Sequence, residues 1–258
     1  MAENMTEIST QLTNNILTIT MQRADKKNAL TRNMYQQMAD ALVAANHDDE
    51  CRAVIIQGDQ GCFTSGNDLS DFVASKGHEN VVEIVAFMEA LLTCEKVVIA
   101  KVEGLAVGIG TTMLLHCDLV YCSAETKFML PFINLGLVPE YASSYLLPLV
   151  AGRRKASEWL LLGEPFDAQQ AQDYGVVTAV IEQSSLQQHV LEVATKLAQK
   201  PAFALRQSKA LMNQDNETIR TIINTELDIF IEALETDAAQ EAFNAFLERR
   251  PLNRDIYK

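Results

Sequence analysis

The chain has 258 residues, 48% of them hydrophobic and 21% charged, with 11 glycines and 6 prolines. This is ordinary globular composition, and a chain of this length buries about three quarters of its unfolded surface without needing disulfides or a structural metal. A formal net charge of −13 argues against nucleic acid and anionic membranes as partners, and no apolar run reaches the roughly 18 residues of a membrane span. The polar start Met1-Ala2-Glu3-Asn4 reads as neither a secretory signal nor an Arg-rich transit peptide, so a cytoplasmic location is expected. Cys51, Cys62, Cys94, Cys117 and Cys122 include no CxxC pair, and His47, His78, His116 and His189 are scattered. Reduced core cysteines and no metal site are expected.

In chain order, Ile16 to Met21 alternates in period two and is followed by the turn Arg23-Ala24-Asp25-Lys26-Lys27-Asn28. Thr31 is placed to cap a helix carrying Met34, Met38, Leu42 and Val43 on one face. Ala53 to Ile56 is a short apolar strand closed by Gly58. A helix from about Asn80 to Cys94 precedes a second buried strand, Val97 to Val102. Gly104 to Gly110 turns the chain into a helix over Thr111 to Cys117, and Leu119 to Cys122 is a third buried strand. Short apolar strands separated by helices suggest a stacked or parallel sheet covered on its faces. Beyond Arg153 the pattern is helical apart from Val177 to Ile181, with segments over Lys155–Leu162, Ala168–Tyr174, Leu186–Gln199, Ala202–Met212 and Thr218–Leu247. The acidic residues of the last segment (Glu226, Asp228, Glu232, Glu235, Asp237, Glu241) read as a solvated helix face.

Two glycine-containing turns carry the chemical interest. In Ser65-Gly66-Asn67-Asp68-Leu69, Gly66 permits close approach of the backbone to a ligand, the N–H groups beyond it can point outward, and Asp68 can cap the following turn. In Gly104 to Thr112, a helix starting after a strand would aim free N–H groups at an anion. Gly104-x3-Gly108-x-Gly110 matches neither GxGxxG nor a Walker loop. Either turn alone is ordinary strand-to-helix punctuation.

Together, each after a buried strand, the two turns closely resemble those of the enoyl-CoA hydratase/isomerase (crotonase) family. Arg23 to Leu30, Cys117 to Tyr121, Asn134 to Pro139, Gly163 to Ala168 and Tyr174 to Val177 resemble further family blocks, over roughly residues 6 to 250. The resemblance implies an α/β fold, a crotonase-like spiral of ββα repeats with a helical C-terminal region. It divides the chain into a core over residues 1–195, with the coenzyme A and active sites, and a region over 196–258 for trimerisation and a lid. A homotrimer or dimer of trimers is implied. So is an acyl-CoA thioester substrate, with coenzyme A part of the substrate and no separate cofactor.

Carried over residue by residue, the backbone N–H groups of Asn67 and Ile109 would bind the thioester oxygen. Removing a proton next to a thioester puts negative charge on that oxygen, and two fixed donors each stabilise it by ~3 kcal/mol. Arg23, Lys26, Lys27 and Ala29 would meet the coenzyme A moiety, supplying a local basic patch on an acidic protein. Ser65, Gly66, Asp68, Leu69, Gly108, Thr112 and Phe132 would flank the substrate, with Phe132 and Met/Leu-rich segments along an acyl tunnel. A second basic cluster is Arg153-Arg154-Lys155.

The hydratases of the family hold water between two glutamates, at positions occupied here by Thr112 and Phe132, so hydration is disfavoured. A different carboxylate stands at Glu140, before a helical run over Ala142 to Val150. Apolar burial would raise its pKa and the helix N-terminus would lower it, with the net sign open from sequence. Its placement resembles the peroxisomal-type Δ3,Δ2-enoyl-CoA isomerases and implies a single-glutamate proton shuttle. The alternatives are a hydratase, another family chemistry such as hydrolysis or dehydration, or a catalytically silent acyl-CoA binder.

Overall fold

The computed structural model describes residues 7–70 and 81–257. Strands β1 (Ile8–Thr13), β2 (Ile16–Met21), β3 (Ala53–Gly58), β4 (Val97–Val102), β6 (Leu119–Ser123) and β9 (Ala179–Ile181) form a six-stranded sheet in the order β1-β2-β3-β4-β6-β9. All neighbours run parallel except β1 against β2. Asn14 and Asn15, both at positive φ, make the two-residue turn that joins that antiparallel pair, as a tight hairpin between right-twisted strands requires. A second, three-stranded sheet has the order β5-β7-β8, from Leu105–Val107, Lys127–Met129 and Phe166–Asp167. Sequence periodicity misses β1, whose buried residue is Ile8 and whose Thr10 to Thr13 are exposed, and the short strands of the second sheet.

Alternation along the parallel strands sorts their side chains between two faces. Val54, Ile56, Val98 and Ala100 enter the main core with α1 (Arg32–His47) and α2 (Val82–Leu92). Ile55, Ile99 and Tyr121 face Leu186, Val190 and Ala194 of α7 (Gln183–Ala198). Both faces being covered explains why these strands read as continuous apolar runs. Thr31 caps α1, its hydroxyl accepting from Met34 N–H at 3.3 Å. The expected start of the next helix at residue 80 lies outside the described residues.

The remaining helices are α3 (Ile109–Thr112), which passes into a 3-10 turn over Met113–His116, α4 (Ser143–Ala151), α5 (Arg153–Leu162), α6 (Ala168–Asp173), α8 (Ala202–Met212), α9 (Asn216–Leu234) and α10 (Asp237–Glu248). The segment expected as one helix over Thr218–Leu247 is therefore two. It breaks at Thr236, whose hydroxyl caps α10 by accepting from Ala239 N–H at 3.2 Å. Ile219, Ile223, Phe230 and Phe243 of these helices belong to the same hydrophobic cluster as the central strands. Among the described residues no helix is long and apolar enough to cross a membrane.

Candidate active site

Because β3 and β4 are parallel neighbours, the loops that leave their C-terminal ends emerge side by side. This is the usual ligand position in parallel sheets. Backbone bonds lock the two loops together: Phe63 N–H donates to Glu103 O at 2.8 Å, Thr64 N–H to Leu105 O at 2.9 Å, and Val107 N–H to Thr64 O at 3.1 Å. On its other side the first loop pairs with the N-terminal turn, Leu30 N–H donating to Gly66 O at 2.8 Å and Asp68 N–H to Leu30 O at 2.9 Å. Since Gly66 and Asp68 turn their polar groups to Leu30, the intervening Asn67 turns its own N–H away from that partner. Gly66 sits at φ +91°, and a Cβ there would stand 2.8 Å from Val107 O.

The second donor arises at a helix start. Gly108 adopts φ 56°, ψ −120°, and its carbonyl accepts from Thr111 and Thr112 N–H at 2.8 and 3.0 Å. Ile109 is then the first residue of α3, where an N–H has no acceptor within the helix. Gly66, Asn67, Gly108 and Ile109 all line one cavity of about 840 Å³.

Opposite chemistry is supplied by Glu140, which lines the same cavity at 7% exposure. Among the described residues its Oε1 has no hydrogen-bond partner. Burial first, then the charge of Glu226, push its pKa up to about 8, which settles the sign left open by sequence. The N-terminus of α4 does not offset this rise, because its donors are taken elsewhere. Ala142 N–H donates to Glu226 Oε2 at 2.6 Å and Ser144 N–H to Glu226 Oε1 at 3.0 Å. Glu226, expected on a solvated face, is instead buried at 7% exposure and caps α4 from α9. Glu241 is likewise engaged, by Arg250 and by Asn253 N–H.

Of the residues singled out by sequence, Lys26, Lys27, Ala29, Ser65, Asp68, Leu69 and Phe132 also line the cavity. Arg23 and Thr112 do not. The Arg23 guanidinium is spent on Asp68 at 2.6 Å and Glu7 at 3.1 Å, so it braces the first loop from behind. Partial burial raises the Asp68 pKa, but the bonds from Ser70 and then from Arg23 outweigh it and hold the carboxyl below its ordinary value. Thr112 is fully buried, its hydroxyl directed at Ile109 O. Lys155 of the second basic cluster pairs with Glu158.

Sequence reasoning missed much of the apolar wall: Leu137, Phe230, Leu234, Phe243 and Phe246. The last four come from α9 and α10, whose apolar spacing marked helices without saying what they face. It also missed Tyr35, buried in α1, whose hydroxyl donates to Asn67 Oδ1 and whose ring packs on Phe87 at 5.6 Å. This contact fixes the Asn67 side chain from the core.

A model of the enoyl-CoA hydratase/isomerase family matches residues 11–254. The chain is 30% identical to 1,2-epoxyphenylacetyl-CoA isomerase of Escherichia coli (strain K12), over 91% of this chain and 93% of that protein. It is 33% identical to enoyl-CoA delta isomerase 2 of Rattus norvegicus over 92% of its own length, and spans 62% of that longer relative. A crystal structure of an enoyl-CoA hydratase/isomerase from Pseudoalteromonas atlantica T6c superposes with a TM-score of 0.91 at 38% identity, covering 96% of this chain and 99% of that one. With a family model and a superposed structure both covering nearly the whole chain, this chain belongs to the enoyl-CoA hydratase/isomerase family, with the crotonase fold.

Proposed function

We propose that the protein is a Δ3,Δ2-enoyl-CoA isomerase, converting a 3-enoyl-CoA to the 2-trans-enoyl-CoA. The observation that carries this reading is the buried carboxyl of Glu140, whose Oε1 has no hydrogen-bond partner among the described residues, in the same cavity as the Asn67 and Ile109 backbone donors. Asp68, in the same wall, is held as a carboxylate by Arg23 and has no proton to give. Asp25 is exposed.

Ionised Glu140 takes a proton from C2, and the electron pair of that C–H bond delocalises over C2–C1–O and the C3=C4 bond. The resulting dienolate places its charge on the thioester oxygen, where the two N–H groups donate to it. Protonated Glu140 then returns the proton to C4, the C2=C3 bond forms and the thioester carbonyl is restored. The proton is conserved, and no water is consumed. A pKa of about 8 suits a group that must both accept and release a proton near neutrality. By the family resemblance, Thr112 and Phe132 occupy the positions of the hydratases' two glutamates, and neither side chain can act as a general base on water. The likeness to a relative named enoyl-CoA delta isomerase supports the same reading.

The apolar wall of Phe132, Leu137, Phe230, Leu234 and Phe243 suits a hydrocarbon acyl chain, and the exposed Lys26 and Lys27 suit the phosphates of coenzyme A. Exposed Leu149, Leu161, Leu162 and Phe246 are proposed to be covered in a homotrimer. The test is to supply 3-hexenoyl-CoA and crotonoyl-CoA separately. The reading expects conjugated 2-enoyl-CoA from the first and no addition of water to the second. Formation of 3-hydroxyacyl-CoA from crotonoyl-CoA, without isomerisation of the first, would contradict it.

A further inference from the structure

Glu226 is a buried carboxylate that the proton shuttle does not use, and it does not line the cavity. Its two oxygens reach across from α9 to the turn that carries Glu140. There they accept from Ala142 N–H at 2.6 Å and Ser144 N–H at 3.0 Å. That turn is strained. Tyr141 and Ala142 both lie in the left-handed region, at φ 56° and 55°, although neither is glycine. Consecutive residues in that region persist only where surrounding contacts over-determine them. The contacts are present: Ser143 Oγ and N–H bond the Glu140 carbonyl at 2.7 and 3.1 Å, His116 Nε2 lies 2.8 Å from the Tyr141 carbonyl, and Tyr141 OH donates to Met88 O at 2.9 Å. Of these partners, Glu226 alone brings a charge and engages two donors at once.

We infer that Glu226 is a positioning residue for Glu140: from the C-terminal helical region it clamps the left-handed turn that points Glu140 into the cavity, and it sets a negative charge behind that carboxyl. The inference rests on the reading of Glu140 as the base. It gives the C-terminal helices a part in the chemistry, since α9 both walls the cavity with Phe230 and Leu234 and holds the base from behind.

The other groups near Glu140 leave Glu226 as its electrostatic partner; burial raises the pKa of Glu226 itself, against the bonds from Ser144 and Ala142 that favour its charged form. Tyr35 from α1 and Tyr141 on the turn itself are held well above pKa 10 by burial. His116, stacked on Tyr141 at 3.7 Å, is pushed down to about 4 by burial and stays neutral. Glu89 of α2 is tied to Arg220 at 2.6 Å. Asp68, Lys26, Lys27 and Arg249 lie in other parts of the cavity wall, and the small space behind Glu140 is closed by Ile84, Met88, Ile223 and Leu227.

The experiment measures kcat and kcat/KM against pH with 3-hexenoyl-CoA for the wild type, Glu226→Gln, Glu226→Asp and Glu140→Gln. Glu226→Gln keeps the shape, removes the charge and can accept at only one of its two ends. It should lower kcat about 10-fold and move the acid-limb pKa down by about one unit. Glu226→Asp keeps the charge but is a methylene shorter. It should lose kcat while its acid limb stays closer to that of the wild type. A Glu226→Gln profile that superposes on the wild type, with Glu140→Gln inactive, overturns the role of Glu226 and leaves the base standing. An active Glu140→Gln overturns the base itself. If Glu226→Gln does not fold, the Glu226→Asp split between kcat and pKa decides, and parallel loss of both overturns the inference.

Discussion

The two halves of the proposed catalytic cavity, the oxyanion half and the base half, are built in opposite ways. The oxyanion half is main chain: two loops from adjacent parallel strands, laced by backbone bonds, present the N–H groups of Asn67 and Ile109, with the Asn67 side chain held by Tyr35 as a minor brace. The base half is side chain: a strained turn aims Glu140, and its anchor, Glu226, lies 84 residues away along the chain from Ala142. Main-chain donors are positioned by local conformation, so they tolerate Ile109 where a smaller residue would serve. A buried carboxyl is positioned by distant partners, so its chemistry depends on packing across the whole fold. The first half should be sensitive to glycine replacement and indifferent to pH. The second should show the reverse.

The largest effect is expected from Glu140→Gln. Removing the base should cost roughly 10³-fold in kcat, within the usual range for general acid–base catalysis, while acyl-CoA binding measured by calorimetry stays near wild type. Next is Gly66→Ala. It forces a Cβ to 2.8 Å from Val107 O at φ +91°, and should lower kcat about 10²-fold by displacing one oxyanion donor. Its pH profile should be unchanged, which separates the two halves in a single pair of variants.

pH itself sharpens the contrast. Activity should rise with pH through about 8, because the shuttle starts from ionised Glu140. Stability should move the other way. A carboxyl raised from 4.5 to about 8 by burial contributes stability fully below about 4.5, and that contribution is lost as pH rises through about 8. The melting temperature should therefore fall between pH 5 and pH 9, and fall less in Glu140→Gln; an identical slope in both would deny the burial. The smallest effect is expected from Tyr35→Phe. Losing its bond to Asn67 Oδ1 should cost kcat roughly 3- to 10-fold, the worth of one hydrogen bond, with KM little changed.

The same division decides what could be read from sequence. Gly66 and Gly108 lie within a few residues of the donors they shape, so a short motif is enough to mark the oxyanion half. The covered strands Val97–Val102 and Leu119–Ser123 were equally legible, because burial on both faces leaves continuous apolar runs. Glu140 was visible as a residue, but its pKa was not, since nothing near it in sequence says that Glu226 occupies the helix N-terminus. Glu226 itself looked like its exposed neighbours on an acidic helix. The break at Thr236 has a local signal, since a threonine followed by Asp237 is a helix start, but the apolar pattern runs on through it and masks the boundary. Sequence does not show that the Arg23 guanidinium pairs with a loop carboxylate, here Asp68, because that partner lies 45 residues away along the chain.

The central claim is that one carboxyl, Glu140, both removes and returns the proton while the backbone donors hold the enolate. The most direct measurement follows 3-hexenoyl-CoA carrying deuterium at C2 and determines the label in the earliest product by mass spectrometry and NMR. The account predicts 2-hexenoyl-CoA with part of the deuterium delivered to C4. A product bearing only solvent hydrogen at C4 from the first turnovers, or the same transfer in Glu140→Gln, would contradict it.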